Sequence, residues 1–314
     1  MLPKGLTMPF KSPYRIGIAL GGGGVRGLAN IGVLKAMEES GIKPDVISGT
    51  SMGAIVGALY ADTLSASRTE STIREYMSSE EFLKQVQKLG SLSGGTDMDR
   101  GFFEKMFDTA KKGYAFYRFM TKDSVVSQAA FEQIEKLVPD KNFSDLKLRF
   151  ACMALDLVSG NTVIFRSGPL RTAIRASSAV PGALPPVGLD GGMYIDGGWA
   201  ESVPITAVRQ LGAHFIIASD VTRDITAIDA KTELKNSMDI MLRANDIVRS
   251  SMNMLRTKEA DFVIHPEVGD APWSAFENLD AYITTGYKAA KMAMPSLKKA
   301  ILKFKVTGLL RLFR

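Results

Sequence analysis

Ser51 lies in the segment of the sequence that most clearly suggests chemistry, the string G-T-S-M-G at Gly49–Gly53. The apolar run Asp45–Ser48 before it is typical of a strand, and Met52–Ala61 after it has the composition of a helix. A serine in a G-x-S-x-G turn between strand and helix is exposed on a strained backbone, which needs neighbours without side chains two residues away on either side. The dipole of the following helix favours developing negative charge. The pattern therefore favours a nucleophilic serine over a purely structural turn.

A run of four glycines, Gly21–Gly24, leads into a second motif, G-G-G-V-R-G at Gly22–Gly27, directly after the apolar run Tyr14–Leu20. Dinucleotide-binding folds use the same G-x-G-x-x-G string to seat a pyrophosphate, so a nucleotide-binding module is one alternative. Those folds also need an acid near the end of the second strand, whereas Asp45 stands at its start. We favour a nest of backbone N–H groups that holds an oxyanion. A plain turn is less favoured, because four glycines lose considerable backbone entropy on folding.

Two residues are candidate bases for Ser51. Asp196 follows a predicted strand and precedes Gly197 and Gly198, which would let its carboxylate approach another backbone closely, although the same D-G-G string equally suits a turn. His265 ends a later predicted strand and fits the order Ser, Asp, His of α/β-hydrolases, so a triad is the alternative. The residues alone leave both bases open.

The surrounding sequence alternates between short apolar runs and stretches of helical spacing, which predicts a parallel sheet covered by helices. Later strands are predicted at Leu148–Leu157, Thr162–Phe165, Met193–Ile195, His214–Ser219 and Asp261–Ile264, and helices at Leu170–Ala176, Pro204–Leu211, Glu233–Lys258 and Ala281–Met294. Asp190-Gly191-Gly192 has no predicted strand before it and indicates a turn. Asp62–Leu146, which contains the Gly/Ser linker Leu92–Asp99, is expected to be a helical insertion.

Composition bounds the class of protein. A chain of 314 residues that is 46% hydrophobic and 23% charged is globular and long enough for one large α/β domain. The single cysteine, Cys152, excludes an internal disulfide and a cysteine-cluster metal site, and with two histidines present we expect neither a metal nor a cofactor. The lone cysteine and the absence of an apolar secretory signal at the N-terminus predict a cytoplasmic location.

The net charge of +6 comes from the C-terminal segment Leu297–Arg314, which holds six basic residues and no acid, so the other 33 basic residues balance the 33 acidic ones. A neutral body argues against a nucleic-acid partner. The segment has the pattern of an imperfect basic amphipathic helix. We expect a single domain over 1–296, and a tail over 297–314 that binds an anionic membrane surface on the inner face. Docking onto the protein's own surface is the alternative.

Seven aromatic residues are concentrated in Phe102–Phe119. Their spacing favours a core-facing amphipathic helix, and the alternative is a lid or acyl-chain groove above Ser51. Acidic residues in the same stretch disfavour stacking on nucleic acid.

Taken together, these motifs resemble those of the patatin-like phospholipases, particularly their bacterial members. The resemblance rests on the G-G-G-x-R-G, G-x-S-x-G and D-G-G motifs, on Ala176–Gly182, which is similar to the family's A-S-x-A-x-P stretch, and on Ala154–Gly160. Matching order and spacing run from about Arg15 to Ser219, whereas Asp62–Leu146 and the region after Ser219 match no motif.

The resemblance implies a three-layer α/β/α sandwich with a mainly parallel central sheet and a Ser–Asp dyad without histidine. It implies Ser51 as nucleophile, Asp196 as base, and the backbone amides of Gly22, Gly23 and Gly24 as the oxyanion hole. The supporting positions are Arg26, Gly27, Gly49, Gly53, Gly197 and Gly198, of which Arg26 is expected to brace the loop or pair with a carboxylate. The implied activity is hydrolysis of a phospholipid or lysophospholipid acyl ester through an acyl-enzyme. We expect burial to raise the pKa of Asp196. A non-catalytic lipid-binding protein is disfavoured because both dyad residues are present.

Overall fold

The computed structural model describes residues 14–80, 135–234, 237–269 and 278–312. Within these residues, eight strands form one mixed sheet with helices on both faces. The strands are β1 Ile16–Leu20, β2 Val46–Gly49, β3 Arg149–Asp156, β4 Thr162–Phe165, β5 Val187–Leu189, β6 Gly192–Asp196, β7 Phe215–Ser219 and β8 Phe262–Ile264. The α-helices are α1 Ala29–Glu39, α2 Met52–Thr63, α3 Ala66–Met77, α4 Leu170–Ser178, α5 Ile205–Gln210, α6 Ala230–Glu233, α7 Ser237–Thr257 and α8 Leu279–Leu312.

The centre of the sheet is parallel and one end is antiparallel. Strands β3, β2, β1, β7 and β8 follow one another as parallel neighbours. Strands β4 and β6 pair with β3 in the antiparallel sense, and β5 pairs with β6 in the same way. The predicted three-layer α/β/α sandwich with a mainly parallel sheet is confirmed.

The two faces of the sheet bury side chains of different size. Ile18 and Leu20 of β1 point to a large apolar layer that includes α1, α2, α3 and α8. Ala19, between them, points to the opposite face, where Val208 of α5 packs. This alternation follows from the two-residue repeat of a strand. On this second face α5 lies close to β1, since a Cβ placed on Gly17 would lie only 2.6 Å from the side chain of Val208.

Helix α8 is much longer than the predicted helix Ala281–Met294, and it continues through Pro295. A proline inside a helix removes one backbone donor and usually ends or kinks it. Here the following turns are held by burial, because Leu297 is 0% exposed and Ile301 belongs to the same apolar layer. The predicted boundary between residues 296 and 297 therefore falls inside one continuous helix.

The apolar side of the predicted tail is covered by the protein's own sheet as far as Phe304. The ring centroid of Phe304 lies 5.4 Å from that of Phe215 in β7 and 5.4 Å from that of Tyr14. For residues 297–304 this packing favours the alternative of docking onto the protein's own surface over a membrane-bound face. The side chains of residues 308–314 lie outside the described part of the structure.

One strand was missed by the sequence interpretation. β5 is three residues long, too short to show a periodic pattern, and it directly precedes Asp190, contrary to the expectation that no strand does. The turn itself is confirmed, because Asp190 and Gly191 have φ values of 49° and 82° and join β5 to β6 as a hairpin.

The predicted helical insertion over 62–146 is described only in part. Its first helix, α3, packs onto the core through Ile73, and its Glu70 forms an ion pair with Lys35 of α1. The predicted linker Leu92–Asp99 and the aromatic stretch Phe102–Phe119 lie outside the described residues. None of the helices in the described ranges has both the length and the apolar character needed to cross a membrane.

Candidate active site

Ser51 occupies a strained turn between β2 and α2. Its φ and ψ are 55° and −126°, a backbone conformation that residues with a side chain rarely adopt. A Cβ placed on Gly49 would lie 2.2 Å from the carbonyl oxygen of Gly53, and one on Gly53 would lie 2.2 Å from that of Leu20. The predicted strained turn, with glycines two residues away on either side, is confirmed. Ser51 is only 8% exposed, however, where the sequence predicted an exposed serine, because the glycine loop after β1 lies against it.

The register of β3 brings the ends of β2 and β6 together. Cys152 of β3 pairs with both β2 and β4, and Ala154 pairs with both β4 and β6. A strand has only two edges, so β2 and β6 must share the edge of β3 that β4 does not occupy. Because β2 is parallel and β6 antiparallel to β3, the two strands run toward each other along this edge. Their last residues, Gly49 and Asp196, therefore end close together, with Ser51 immediately beyond.

Asp196 is held in this position by the glycines that follow it. A Cβ on Gly197 would lie 2.4 Å from the carbonyl oxygen of Met153, so the chain after β6 lies against the backbone of β3. The Gly198 amide donates to the Asp196 carboxylate at 2.7 Å. The close backbone approach expected from the D-G-G motif is thus observed at Gly197.

The Ser51 side chain lies close enough to the Asp196 carboxylate to lower its pKa. Asp196 is 4% exposed, and its burial raises its pKa above the ordinary value of an aspartate. The Ser51 side chain, the hydrogen bond from the Gly198 amide and the positive charge of Arg249 act in the opposite direction without cancelling the effect of burial. The expected rise in the pKa of Asp196 is therefore present, and desolvation causes it.

The glycine loop approaches Ser51, but its amides are not equivalent. A Cβ on Gly22 would lie 3.0 Å from the Cβ of Ser51, so the loop backbone touches the serine. The Gly22 amide already donates to the carbonyl oxygen of Ser202 at 2.9 Å. Among the described residues outside the adjoining 3₁₀ helix, none accepts a hydrogen bond from the amide of Gly23 or Gly24. Of the three amides expected to form the oxyanion hole, the one of Gly22 is therefore already engaged.

Arg26 braces this loop from within. Its Nε donates to the carbonyl oxygen of Gly23 at 3.1 Å, one of the two roles expected from the sequence. Burial, with the positive charges of Arg223 and Arg249 nearby, lowers the pKa of Arg26 to about 10. Gly27 is also required by packing, because a Cβ there would lie 2.6 Å from the Cβ of Met52.

Two neighbours of the site were not identified from the sequence. The Ser177 hydroxyl accepts a hydrogen bond from the Ser51 amide at 3.2 Å, and the only sequence signal was its place in the A-S-x-A-x-P-like stretch. Arg249 of α7 donates from Nε to the Gly198 carbonyl oxygen at 3.3 Å and lies 4.1 Å above the ring of Trp199. No local pattern marked Arg249, because its contacts are with residues far away in the chain.

Neither histidine is placed beside Ser51. His265 follows β8, which is three strands from β2 and hence roughly 14 Å away at the usual strand spacing. Its Nδ1 lies 3.8 Å from Asp220 and its Nε2 lies 3.7 Å from Asp224. His214 accepts a hydrogen bond from the Arg15 amide at 3.0 Å. The geometry thus favours Asp196 over His265 as the partner of Ser51.

The site also lacks the acid that a dinucleotide site would need at the end of β2. Asp45 precedes β2, and its carboxylate accepts a hydrogen bond from the Ile16 amide at 2.8 Å, at the opposite end of the strands from Ser51. Across the described ranges, His, Cys, Asp and Glu side chains form no group of three or more suited to holding a metal ion.

The carboxyl edge of this mainly parallel sheet carries a strained serine turn, a glycine loop and a buried aspartate. These features place the chain in the class of α/β proteins in which a serine lies close to a buried aspartate. The family model described as patatin-like phospholipase matches residues 18–209, which is more than half of the chain. The chain belongs to the patatin-like phospholipase family, as its motifs predict. The match includes the serine turn, the glycine loop and the D-G-G motif, and it ends before α7.

This chain corresponds to only a small part of the length of several relatives that it matches. The patatin-like phospholipase domain-containing protein ZK370.4 of Caenorhabditis elegans is 33% identical over 209 residues, which cover 66% of this chain and 13% of that protein. The lysophospholipase NTE1 of Scheffersomyces stipitis is 32% identical over 208 residues, which cover 66% of this chain and 12% of that protein. Among solved structures, VipD from Legionella pneumophila aligns with a TM-score of 0.48 and 14% identity, over 90% of this chain and 67% of that chain.

Proposed function

We propose that the protein hydrolyses lipid acyl esters of the phospholipid or lysophospholipid type, with Ser51 as nucleophile and Asp196 as base. The observation that carries the proposal is that the strand register brings Ser51 to the buried carboxylate of Asp196, close enough for the serine to lower the pKa of that group. Membership of the patatin-like phospholipase family supports the class of activity, as do relatives named lysophospholipase.

In the proposed reaction Ser51 attacks the ester carbonyl carbon while Asp196 takes the hydroxyl proton. The carbonyl oxygen becomes an oxyanion that accepts hydrogen bonds from the amides of Gly23 and Gly24, which begin the 3₁₀ helix Gly24–Leu28. Asp196 returns its proton to the departing alcohol, leaving an acyl group on Ser51. Asp196 then accepts a proton from the water that attacks the acyl carbon, and returns it to the Ser51 oxygen as the ester bond breaks and the fatty acid leaves.

The environment of Asp196 suits this role. An ordinary aspartate has a pKa of about 3.9 and is a weak base near neutral pH. Because burial raises the pKa of Asp196, its carboxylate accepts a proton more readily, although a larger fraction is already protonated at mildly acidic pH. One oxyanion donor is typically worth about 10²–10³ in kcat, so the glycine amides supply a substantial share of the rate.

The proposal is tested by comparing the products released from a mixed lipid extract by the wild-type protein and by matched variants. Ser51→Ala and Asp196→Asn should each abolish ester turnover, while His265→Ala should retain it, with circular dichroism confirming that each variant is folded. Loss of activity in folded His265→Ala would restore the Ser-Asp-His alternative. Two results together would favour the nucleotide-binding alternative. Ester turnover would be unchanged in Ser51→Ala, and an added dinucleotide would protect the glycine loop from proteolysis.

The same assay tests the expectation that no metal is needed. Activity should survive treatment with a chelator, and activity lost on chelation and restored by calcium would contradict the expectation. The cytoplasmic location and association with the inner membrane face remain part of the proposal, and fractionation of cells that express the full chain would test both.

A further inference from the structure

Helix α7 exposes its apolar side to solvent and buries polar residues, unlike an ordinary surface helix. Its polar residues Asp239, Asn253 and Thr257 are buried. Its large apolar side chains are 43–64% exposed, from Ile240 and Met241 near the start, through Ile247 and Val248, to Met254 and Leu255 near the end. A surface helix of a globular protein normally has the reverse arrangement, with its apolar stripe turned toward the core.

The exposed apolar residues form one continuous face. At about 100° per residue, all of them fall within an arc of roughly 160° that contains no charged residue. Arg243 and Arg256 lie at the two borders of the arc, whereas both acidic residues of the helix, Asp239 and Asp246, lie on the opposite side. Glu259 is shared by Arg209 and Arg256, so this border keeps a net positive charge.

The inward side of α7 is fixed beside the candidate active site. Arg249 contacts the Gly198 carbonyl and the Trp199 ring, both next to Asp196 in the chain. One turn later, Asn253 donates to the Asp220 carboxylate at 3.0 Å, at the end of β7. These polar contacts hold α7 at the carboxyl edge of the sheet, on the segments that follow β6 and β7, so the helix lies beside the candidate active site.

We propose that this apolar face of α7, defined by residues 240–255, docks the protein onto an anionic lipid surface and so brings the neighbouring candidate active site to that surface. The inference rests on the proposed lipid-ester hydrolase function, since such an enzyme must reach a substrate that lies in a bilayer. A helix with an apolar face bordered by arginines lies in the membrane interface, with the arginine heads among the lipid head groups. This assignment places membrane docking on α7, where the sequence had placed it on residues 297–314.

Binding is measured by co-sedimentation with vesicles of phosphatidylcholine and phosphatidylglycerol in equal amounts, in a Ser51→Ala background so that lipid is not consumed. The double variant Val248→Gln with Leu255→Gln removes two residues at the centre of the face, 57% and 64% exposed. The matched control is Leu302→Gln with Val306→Gln on α8, where the same residue types are 63% and 48% exposed. The α7 variant should bind at least about tenfold more weakly, and the control should bind within about twofold of the parent.

The charged border is tested separately. Arg243→Gln with Arg256→Gln should reduce the preference for vesicles that contain phosphatidylglycerol over vesicles of phosphatidylcholine alone, and added salt should have the same effect on the parent. An unchanged preference would overturn the anionic part of the proposal.

Hydrolysis of a water-soluble ester by the protein with Ser51 intact separates the two proposals. If that activity is present but the parent does not bind vesicles, or the α8 control loses as much binding as the α7 variant, the docking proposal is wrong. If the α7 variant converts a dimer into a monomer without lipid, a second copy occupies the face and the docking proposal is again wrong. If vesicle binding is intact but soluble-ester hydrolysis is absent, the proposed function fails and the docking surface stands.

Discussion

Replacing Asp196 with asparagine should abolish turnover and also make the fold more stable near neutral pH. Burial raises the pKa of Asp196 in the folded protein above the ordinary value of an aspartate. A carboxyl group with a raised pKa binds its proton more tightly in the folded state, so it favours folding at low pH. That contribution is lost as the pH rises through the folded-state pKa, because the carboxylate must then be ionised in a buried site. Asparagine carries no charge, so the variant does not suffer this loss.

The size of the expected gain in stability depends on the hydrogen bond that Asp196→Asn keeps. The asparagine side chain would retain an oxygen to accept the Gly198 amide hydrogen bond, which is 2.7 Å long in the wild type. The variant therefore loses a desolvated charge without leaving that donor unsatisfied, and substitutions that relieve such a site commonly give about 0.5–2 kcal/mol. In a protein of this size, 1 kcal/mol raises Tm by roughly 2–4 °C. The rate of turnover should fall by about 10²–10⁴-fold or more, which leaves no activity detectable in a routine assay, because a general base is lost.

Thermal unfolding of the two proteins at a series of pH values between about 4 and about 8 measures the effect. The difference in Tm should be smallest at the acidic end and should grow as the pH rises. Asp140→Asn is the matched control, because Asp140 is 85% exposed and its loss should change stability by less than about 0.5 kcal/mol. An Asp196→Asn variant that is less stable than the wild type at every pH would show that hydrogen bonding, and not desolvation, governs this carboxylate.

Three further outcomes are expected. Ser51→Gly should unfold with a free energy about 1 kcal/mol higher than Ser51→Ala, because glycine adopts the observed φ of 55° without strain; equal values in denaturant titrations would contradict the strained turn. Gly53→Ala should lower the free energy of unfolding by about 1–3 kcal/mol or more, since its Cβ would lie 2.2 Å from a backbone oxygen. A Cβ on Gly188 would have nothing within 4 Å, so Gly188→Ala should leave Tm nearly unchanged. Arg249→Gln removes a charge that lowers the pKa of Asp196, so the acidic limb of kcat/KM for a soluble ester should move to higher pH; a shift to lower pH would refute this.

The sequence predicted the parts of this protein whose causes are local. A G-x-S-x-G string between an apolar run and a helical stretch identifies the strained turn at Ser51, because close backbone packing there forbids side chains at Gly49 and Gly53. Most strands and helices were placed within a few residues for the same reason, since short apolar runs bounded by glycine are visible in the chain itself. Together the motifs were specific enough to identify the family, which the match over residues 18–209 confirms.

The sequence did not predict features that depend on distant partners. It could not show that the Gly22 amide is already bonded to Ser202 or that Ser177, 126 positions from Ser51, accepts the serine's amide hydrogen bond. It placed a membrane-binding tail after residue 296, where the structure has a helix packed on Phe215. Composition alone gives a segment's apolar content, but not the surface that covers it.

The sequence by itself thus determined the chemical groups of this protein and the local turns that carry them. Only the tertiary structure decided which groups meet. Ser51 and Asp196 lie close together because β2 and β6 run toward each other along one edge of β3, and this edge is determined by the pairing of whole strands. The outward apolar face of α7 likewise depends on distant contacts, because its polar residues bond to the segments that follow β6 and β7. Such choices depend on the free energy of the complete packed fold, which no local stretch of sequence contains.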